Sequence, residues 1–95
     1  MKQSYVYLLS NKNRTVLYIG VTSNMIERVT DHKNSRGSVF TKKYNVSDLL
    51  HFETFTNMND AIKREKQLKT WHKDWKWDLI KEHNKDLRDL YSDLI

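Results

Sequence analysis

Two short segments near the start of the chain, joined by a polar turn, most constrain how it can fold. Residues 4–9 and 17–22 are rich in β-branched and aromatic side chains and contain no proline, which is typical of β-strands. The run 10–15 between them consists of polar residues that favour turns. We therefore predict two paired antiparallel strands. The two-residue period of side chains along a strand decides which faces Tyr7 and Tyr18 share.

Gly20 lies inside the second of these segments. A glycine within a strand usually marks a bulge, or a close approach by a ligand or another backbone. Together with Tyr7 and Tyr18 it indicates a surface that holds something. Strand packing by itself also explains tyrosines at such positions. Taken singly, these residues favour a structural role. Only the order of the remaining motifs along the chain makes the evidence for a functional site specific.

Length and composition limit the class of protein. Ninety-five residues predict one domain, spanning 1–95. The absence of cysteine excludes disulfides and thiolate metal sites and agrees with a reducing cytoplasm, which is the location we predict. No apolar run approaches the ~20 residues of a membrane span or forms a signal peptide, so we predict no membrane partner. A net charge of +5 favours nucleic acid as the partner.

The rest of the chain alternates helical and strand patterns. Asn24 followed three residues later by Glu27 is a capping-box pattern, so a helix is predicted to begin there. The order β-β-α-β-α-α predicts an α+β fold, a three-stranded antiparallel sheet flanked by helices. The later elements are predicted in chain order: a linking segment at 39–45 that exposes Lys42 and Lys43, a strand at 46–55, helices at 59–71 and 73–83, and a short final helix.

Glu65 is the most informative single residue. It lies three residues before Leu68, within the apolar stripe of the predicted second helix. A carboxylate buried there without a partner would destabilise the fold. Either Glu65 lies at the edge of the stripe beside Lys66 or Lys69, or it binds a hard cation. Mg²⁺ prefers oxygen ligands and often takes one protein carboxylate together with substrate phosphate.

Arg28 and His32 are four residues apart and share one helical face. An isolated helical arginine usually pairs with a nearby acid, here Glu27, Asp31 or the tail, but its guanidinium also suits a bidentate clamp on phosphate. His32 alone is typical of an ordinary boundary histidine. Beside Arg28 it is a candidate to bond a tyrosine hydroxyl or to transfer a proton. Asn84 is most simply a helix C-cap.

Five motifs follow one another in a fixed order along the chain: Tyr5-Val6-Tyr7, Leu17-Tyr18-Ile19-Gly20, Arg28 with His32, Glu65, and Asn84. This ordered set resembles the GIY-YIG nuclease superfamily, and most of all its small single-domain bacterial proteins, in which the first motif commonly begins with tyrosine. The resemblance covers the chain from Tyr5 to about Leu90. The segment 61–69 is especially similar to the helix that carries the family's acidic residue.

The resemblance implies metal-dependent hydrolysis of a phosphodiester bond, with DNA as the expected nucleic acid and Mg²⁺ or Mn²⁺ as the cofactor. It implies that Glu65 is the metal ligand. The positions that match the family's other functional residues are Tyr7, Tyr18, Arg28, His32 and Asn84. The exposed Lys42 and Lys43, together with Lys69, are candidates to contact the phosphate backbone.

The chain departs from the family pattern at two positions. Tyr5 replaces the glycine of the first motif, which predicts a narrower approach to the site. Lys85 follows Asn84 where related small proteins usually have proline.

Phosphodiester hydrolysis needs a base for water and a counter-charge for the phosphate. An unperturbed tyrosine, with a pKa near ~10, is a poor base at neutral pH, but a nearby cation or a histidine acceptor can convert it to a phenolate. We favour Tyr7 as the base, with Tyr18 orienting water or phosphate, and the reverse assignment stays open. The alternative function is a module on the same fold that binds nucleic acid or a protein partner without cutting.

Overall fold

The computed structural model describes residues 3–95. Their elements, in chain order, are β1 (Ser4–Ser10), β2 (Leu17–Thr22), α1 (Met25–Lys33), α2 (Val39–Lys43), β3 (Asp48–Phe55), α3 (Met58–Thr70), α4 (Lys73–His83) and α5 (Tyr91–Leu94). The predicted α+β class, with three antiparallel strands flanked by helices, is confirmed. Among these residues, no helix has the length and apolar character needed to cross a bilayer.

The sheet has the strand order β2-β1-β3, so β2 is an edge strand and β1 is central. Tyr7 pairs with Gly20 and Leu9 pairs with Tyr18. Because side chains alternate along a strand and directly paired residues share a face, Tyr7 and Tyr18 lie on the same face of the sheet. The register shift in the sheet lies between Leu8 and Leu9, where β1 meets β3. Gly20 therefore does not mark a bulge.

Each face of the sheet has its own hydrophobic cluster. On one face Leu8 and Leu50 pack with Leu68 of α3 and Ile80 of α4. On the other face Tyr7 and Leu9 pack with Met25 and Val29 of α1, and α5 covers part of that side. The cleft described below lies at the β2 edge, and both α1 and α3 contribute residues to it.

The helix ends follow local sequence signals. Asn24 caps α1 by accepting a hydrogen bond from the Glu27 amide at 3.2 Å, and its own amide donates to the Glu27 carboxylate at 3.2 Å. The predicted helix start is therefore confirmed, but only half of the capping box forms: the Glu27 carboxylate bonds the side-chain amide of Asn24, while the backbone N–H of Asn24 donates to the Thr22 hydroxyl at 3.0 Å. The short final helix is also present, and the Thr30 and Tyr91 hydroxyls tie it to α1 at 2.6 Å.

Two predictions of secondary structure differ from the structure by more than one residue. Val39–Lys43, predicted as a linking segment, forms the helix α2, with Ser38 as its N-cap. Five residues are too few to show a helical period, and the β-branched Val39 and Thr41 have low helix propensity. The third strand begins at Asp48 instead of residue 46, because the Val46 amide donates to the Thr41 carbonyl of α2 at 2.9 Å and not to the sheet.

A charged cluster fixes how α3 lies on the sheet. Arg64 binds the Glu53 carboxylate of β3 with both Nε and Nη2, at 2.7 and 3.1 Å, and His51 approaches the same carboxylate at 2.9 Å. Burial alone would raise the pKa of Glu53, but these hydrogen bonds and the guanidinium charge lower it to about 2. Because consecutive helical residues are about 100° apart, anchoring Arg64 on β3 turns Glu65 toward the β2 edge.

Candidate active site

A cleft of about 330 Å³ opens at the β2 edge of the sheet. It brings together five of the six residues proposed from the sequence for catalysis or metal binding. Its lining residues come from β1, β2, α1, α3 and the segment before α2: Tyr7, Tyr18, Gly20, Val21, Arg28, His32, Gly37, Ser38 and Glu65.

Tyr7 and His32 form a buried hydrogen-bonded pair, with Tyr7 Oη 3.2 Å from His32 Nε2. The two residues are 2% and 6% exposed. Burial, together with the charges of Tyr18 and Glu65, raises the pKa of Tyr7 above its ordinary value, although Arg28 opposes this. Burial and the charge of Arg28 lower the pKa of His32. At neutral pH the resting pair is therefore a phenol beside a neutral imidazole.

The chain has two glycines, and both make room for this pair. A Cβ at Gly20 would lie 2.4 Å from Cζ and Oη of Tyr7, and a Cβ at Gly37 would lie 2.1 Å from His32 Nδ1. Neither glycine has a positive φ, so their role is clearance and not backbone conformation. The close approach that Gly20 indicated is made by the Tyr7 ring, instead of by a ligand or a backbone.

Gly20→Ala is expected to displace the Tyr7 ring and break its hydrogen bond to His32. Overpacking of this kind costs about 1–3 kcal/mol of folding stability. Chemical denaturation of Gly20→Ala, Tyr7→Leu and the double variant measures the effect, because the shorter Leu side chain vacates the space that the new methyl needs. We expect the double variant to be more stable than the sum of the single losses predicts. Additive losses would contradict the clearance role.

Arg28 lies on the exposed face of α1 and lines the cleft. Its neighbouring acids are engaged elsewhere, since Glu27 accepts a hydrogen bond from the Asn24 side chain and Asp31 pairs with Arg36. Among residues 3–95, Arg28 takes part in none of the side-chain hydrogen bonds or ion pairs. A guanidinium in this position offers a planar pair of donors to a phosphate entering the cleft.

Glu65 shows features of both arrangements considered from the sequence: it lies beside Lys69, and it faces a cleft where it could bind a cation. Its side chain is only 17% exposed, lies 3.6 Å from Lys69 Nζ, and lines the cleft. The described residues hold no group of three or more His, Cys, Asp or Glu that could enclose a metal ion. One carboxylate facing an open cleft does fit Mg²⁺, which keeps several waters and completes its shell with substrate phosphate.

A second groove, of about 350 Å³, continues from the cleft and shares Tyr18 and Glu65 with it. Tyr18 stacks on Phe40 of α2, with ring centroids 6.1 Å apart. Lys69 and Lys76 line this groove. The groove that leads out of the cleft is therefore lined by positive charge. Lys42 and Lys43 are exposed on α2, as predicted.

Asn84 does not line the cleft. It is the C-cap residue of α4, with φ −144° and ψ 72°, and so is not in the left-handed region. Its buried amide donates to the Leu50 carbonyl at 3.0 Å and the Arg88 carbonyl at 2.8 Å, and accepts from the Arg88 amide at 3.2 Å. The structure thus does not place Asn84 with the other candidates, because its side chain holds the end of α4 to β3 and to the following turn.

Tyr5 also lies outside the cleft lining, contrary to the predicted narrowing of the approach. It faces a separate depression beside Asn24 and Met25, and its hydroxyl donates to Gln3 at 3.3 Å. Tyr5 is two residues before Tyr7 and so shares its sheet face. It is displaced along β1, away from the cleft.

Sequence reasoning missed the residues around α2 that support His32. Thr41 is 3% exposed, and its Oγ1 lies 3.0 Å from His32 Nδ1. Gly37 and Ser38 line the cleft beside them. The local signal available was Ser38, an N-cap residue type, and its side chain does accept from the Thr41 amide at 3.2 Å.

Comparison with known proteins supports these observations. A family model, the GIY-YIG catalytic domain, matches residues 3–78. A UPF0213 protein of Staphylococcus haemolyticus is 32% identical over 82 residues, covering 86% of this chain and 99% of the relative. A UPF0213 protein of Pediococcus pentosaceus is 35% identical over 86 residues, covering 90% of each. The solution NMR structure of a UPF0213 protein from Bacillus halodurans is similar in fold, with a TM-score of 0.57, 23% identity and 88% of each chain covered.

Proposed function

The chain belongs to the GIY-YIG family, and from that premise we propose that it is a metal-dependent endonuclease that hydrolyses phosphodiester bonds in DNA. The observation that carries the proposal is the convergence on one cleft of a phenol–imidazole pair, a guanidinium and a carboxylate. Tyr7 with His32, Arg28 and Glu65 all line it. These groups supply a proton acceptor, a phosphate clamp and an oxygen ligand for a hard cation.

In the proposed reaction, a water oxygen forms a bond to phosphorus while the ester bond to the leaving oxygen breaks. The water proton passes to Tyr7 Oη as the Tyr7 proton passes to His32 Nε2, and the leaving oxygen takes up a proton from solvent. The raised pKa of Tyr7 favours this relay over a phenolate stored in the resting enzyme. His32 is suited to accept the proton because it is neutral at pH 7, its pKa being lowered by burial and by Arg28.

Arg28 binds a non-bridging phosphate oxygen and offsets the charge that grows during attack. Tyr18, whose ring stacks on Phe40 and lies tilted against His32, orients the water or the phosphate. Glu65 would hold Mg²⁺ or Mn²⁺, which when bound supplies Lewis-acid polarisation of the phosphoryl group.

A cleavage panel tests the proposal. Purified protein is incubated with plasmid, branched DNA and RNA, with Mg²⁺ or Mn²⁺ in one arm and EDTA in the other. Glu65→Gln, purified in parallel, controls for a contaminating nuclease. We expect cleavage of DNA that EDTA abolishes. Absence of metal-dependent cleavage of every substrate would instead favour the binding module without catalysis.

Replacing both Lys42 and Lys43 with alanine is expected to weaken DNA binding and to reduce its salt dependence. Each phosphate contact contributes about 0.9 to the slope of log affinity against log salt, so the slope should fall by up to about 1.8. Fluorescence anisotropy with a labelled oligonucleotide in EDTA measures both quantities without cleavage. The matched control is Lys81→Ala with Lys85→Ala, which removes the same charge beyond the cleft lining. Equal effects of the two pairs would contradict a docking role for α2.

A further inference from the structure

His32 is held between two hydroxyl groups, one on each ring nitrogen. Tyr7 Oη lies 3.2 Å from Nε2 and Thr41 Oγ1 lies 3.0 Å from Nδ1. All three side chains are buried. A neutral imidazole carries one proton, so one of its nitrogens donates and the other accepts. The partner on Nδ1 therefore determines whether Nε2 can accept a proton from Tyr7.

The surroundings of Thr41 indicate the direction of this bond. The Thr41 hydroxyl donates to the Ser38 carbonyl at 3.0 Å, and it accepts from the Ser38 hydroxyl at 3.2 Å. With its one proton given to Ser38, Thr41 Oγ1 has a lone pair left for His32. His32 Nδ1–H then donates to Thr41, and Nε2 is left as the acceptor that faces Tyr7.

The position of Thr41 depends on the short helix α2 and on the glycine before it. Ser38 caps α2 and accepts from the Thr41 amide, which fixes the threonine relative to the helix start. A Cβ on Gly37 would lie 2.6 Å from His32 Cε1 and 2.8 Å from Thr41 Oγ1. The contact between His32 and Thr41 therefore requires a glycine at residue 37.

We propose that Thr41 is a positioning residue that fixes His32 in the Nδ1–H tautomer, so that Nε2 can receive the Tyr7 proton. The kinetic consequence rests on the proposed nuclease function, whereas the tautomer itself does not. Thr41 makes no contact with substrate in this scheme. Its effect on the reaction passes through His32 to Tyr7.

The first test reads the tautomer directly. Long-range ¹H–¹⁵N NMR of the labelled protein distinguishes the protonated from the unprotonated ring nitrogen, and His32→Gln assigns the signal among the four histidines. We expect wild-type His32 to carry its proton on Nδ1. Thr41→Val keeps the shape and removes the hydroxyl, and it should convert the signal to a mixture or to the Nε2–H form. Thr41→Ser should retain the wild-type signal.

The second test reads catalysis with the same variants. Loss of a residue that orients a metal-binding histidine typically costs about 10–100-fold in activity, and we expect kcat for Thr41→Val to fall by a similar factor, with little change in KM, because Thr41 orients His32 in the same way. Thr41→Ser should recover most of the activity. Thr30→Val is the matched control, because it removes a helical threonine hydroxyl that bonds Tyr91, outside the cleft. It should change neither the tautomer nor kcat.

Three outcomes would overturn the proposal: a wild-type His32 with its proton on Nε2, an unchanged tautomer in Thr41→Val, or activity losses in the Val and Ser variants that merely follow the folded fraction measured by thermal unfolding. If the protein cleaves no nucleic acid while the tautomer responds to Thr41 as expected, the positioning of His32 stands and the nuclease proposal fails.

Discussion

Tyr7→Phe is expected to lower kcat for phosphodiester cleavage by about 10²–10⁴-fold, the usual contribution of a positioned acid–base group. The ring that fills the core and contacts Gly20 is kept, while the hydroxyl that relays the proton to His32 is lost. The free energy of unfolding should fall by about 1–3 kcal/mol, because the buried His32 Nε2 loses its hydrogen-bond partner. Single-turnover cleavage with saturating metal, together with chemical denaturation, measures the two effects separately.

Two variants control this experiment. Tyr91→Phe deletes another hydrogen-bonded tyrosine hydroxyl, the one that contacts Thr30, and should leave cleavage unchanged. Tyr18→Phe should reduce cleavage less than Tyr7→Phe, because the contact to His32 Nε2 is made by Tyr7. The opposite ranking would make Tyr18 the base. If the cleavage activity of Tyr7→Phe falls only in proportion to its folded fraction, the role of Tyr7 is in core packing alone.

Glu65→Gln is expected to abolish metal-dependent cleavage. Metal polarisation of a phosphoryl oxygen contributes several kcal/mol, so a loss on the order of 10³-fold in kcat follows at about 1.4 kcal/mol per tenfold. DNA binding in the absence of metal should stay the same or tighten slightly, because a negative charge leaves the cleft. The free energy of unfolding should change by less than about 1 kcal/mol, since the ion pair that Glu65 makes with Lys69 is partly exposed.

The control for Glu65 is Glu82→Gln, which removes an exposed carboxylate from α4 and should leave cleavage intact. Isothermal titration with Mn²⁺ gives a readout independent of substrate: Glu65→Gln should bind Mn²⁺ more weakly than wild type. A Glu65→Gln protein that cuts as fast as wild type would refute the role of Glu65 as metal ligand.

Much of the fold could be predicted from the sequence, because its signals are local. The strand pairing follows from alternating β-branched and aromatic residues on both sides of a polar turn. The start of α1 follows from Asn24 and Glu27, which are three residues apart and need no tertiary partner to form a cap. The placement of Arg28 and His32 on one side of α1 follows from the helical period alone.

The candidate site was predictable in its residues but less so in its arrangement. Five residues assigned by resemblance do line one cleft. Asn84 does not line it, because its buried amide bonds the Leu50 carbonyl. That contact joins residues 34 positions apart, so nothing in the sequence around Asn84 predicts it. Its local pattern shows only a helix end, which suits a C-cap and a distant functional residue equally well.

The chain by itself determined which strands and longer helices form, with their starts placed to within two residues, and which residue types were available for chemistry, because these depend on neighbours within about one helical turn. The tertiary structure alone decided the rest. It made α2 helical despite weak local propensity, turned Glu65 into the cleft by anchoring Arg64 on β3, and placed Thr41 behind His32. These outcomes depend on packing between elements that are distant in sequence, and spacing along the chain does not encode such contacts.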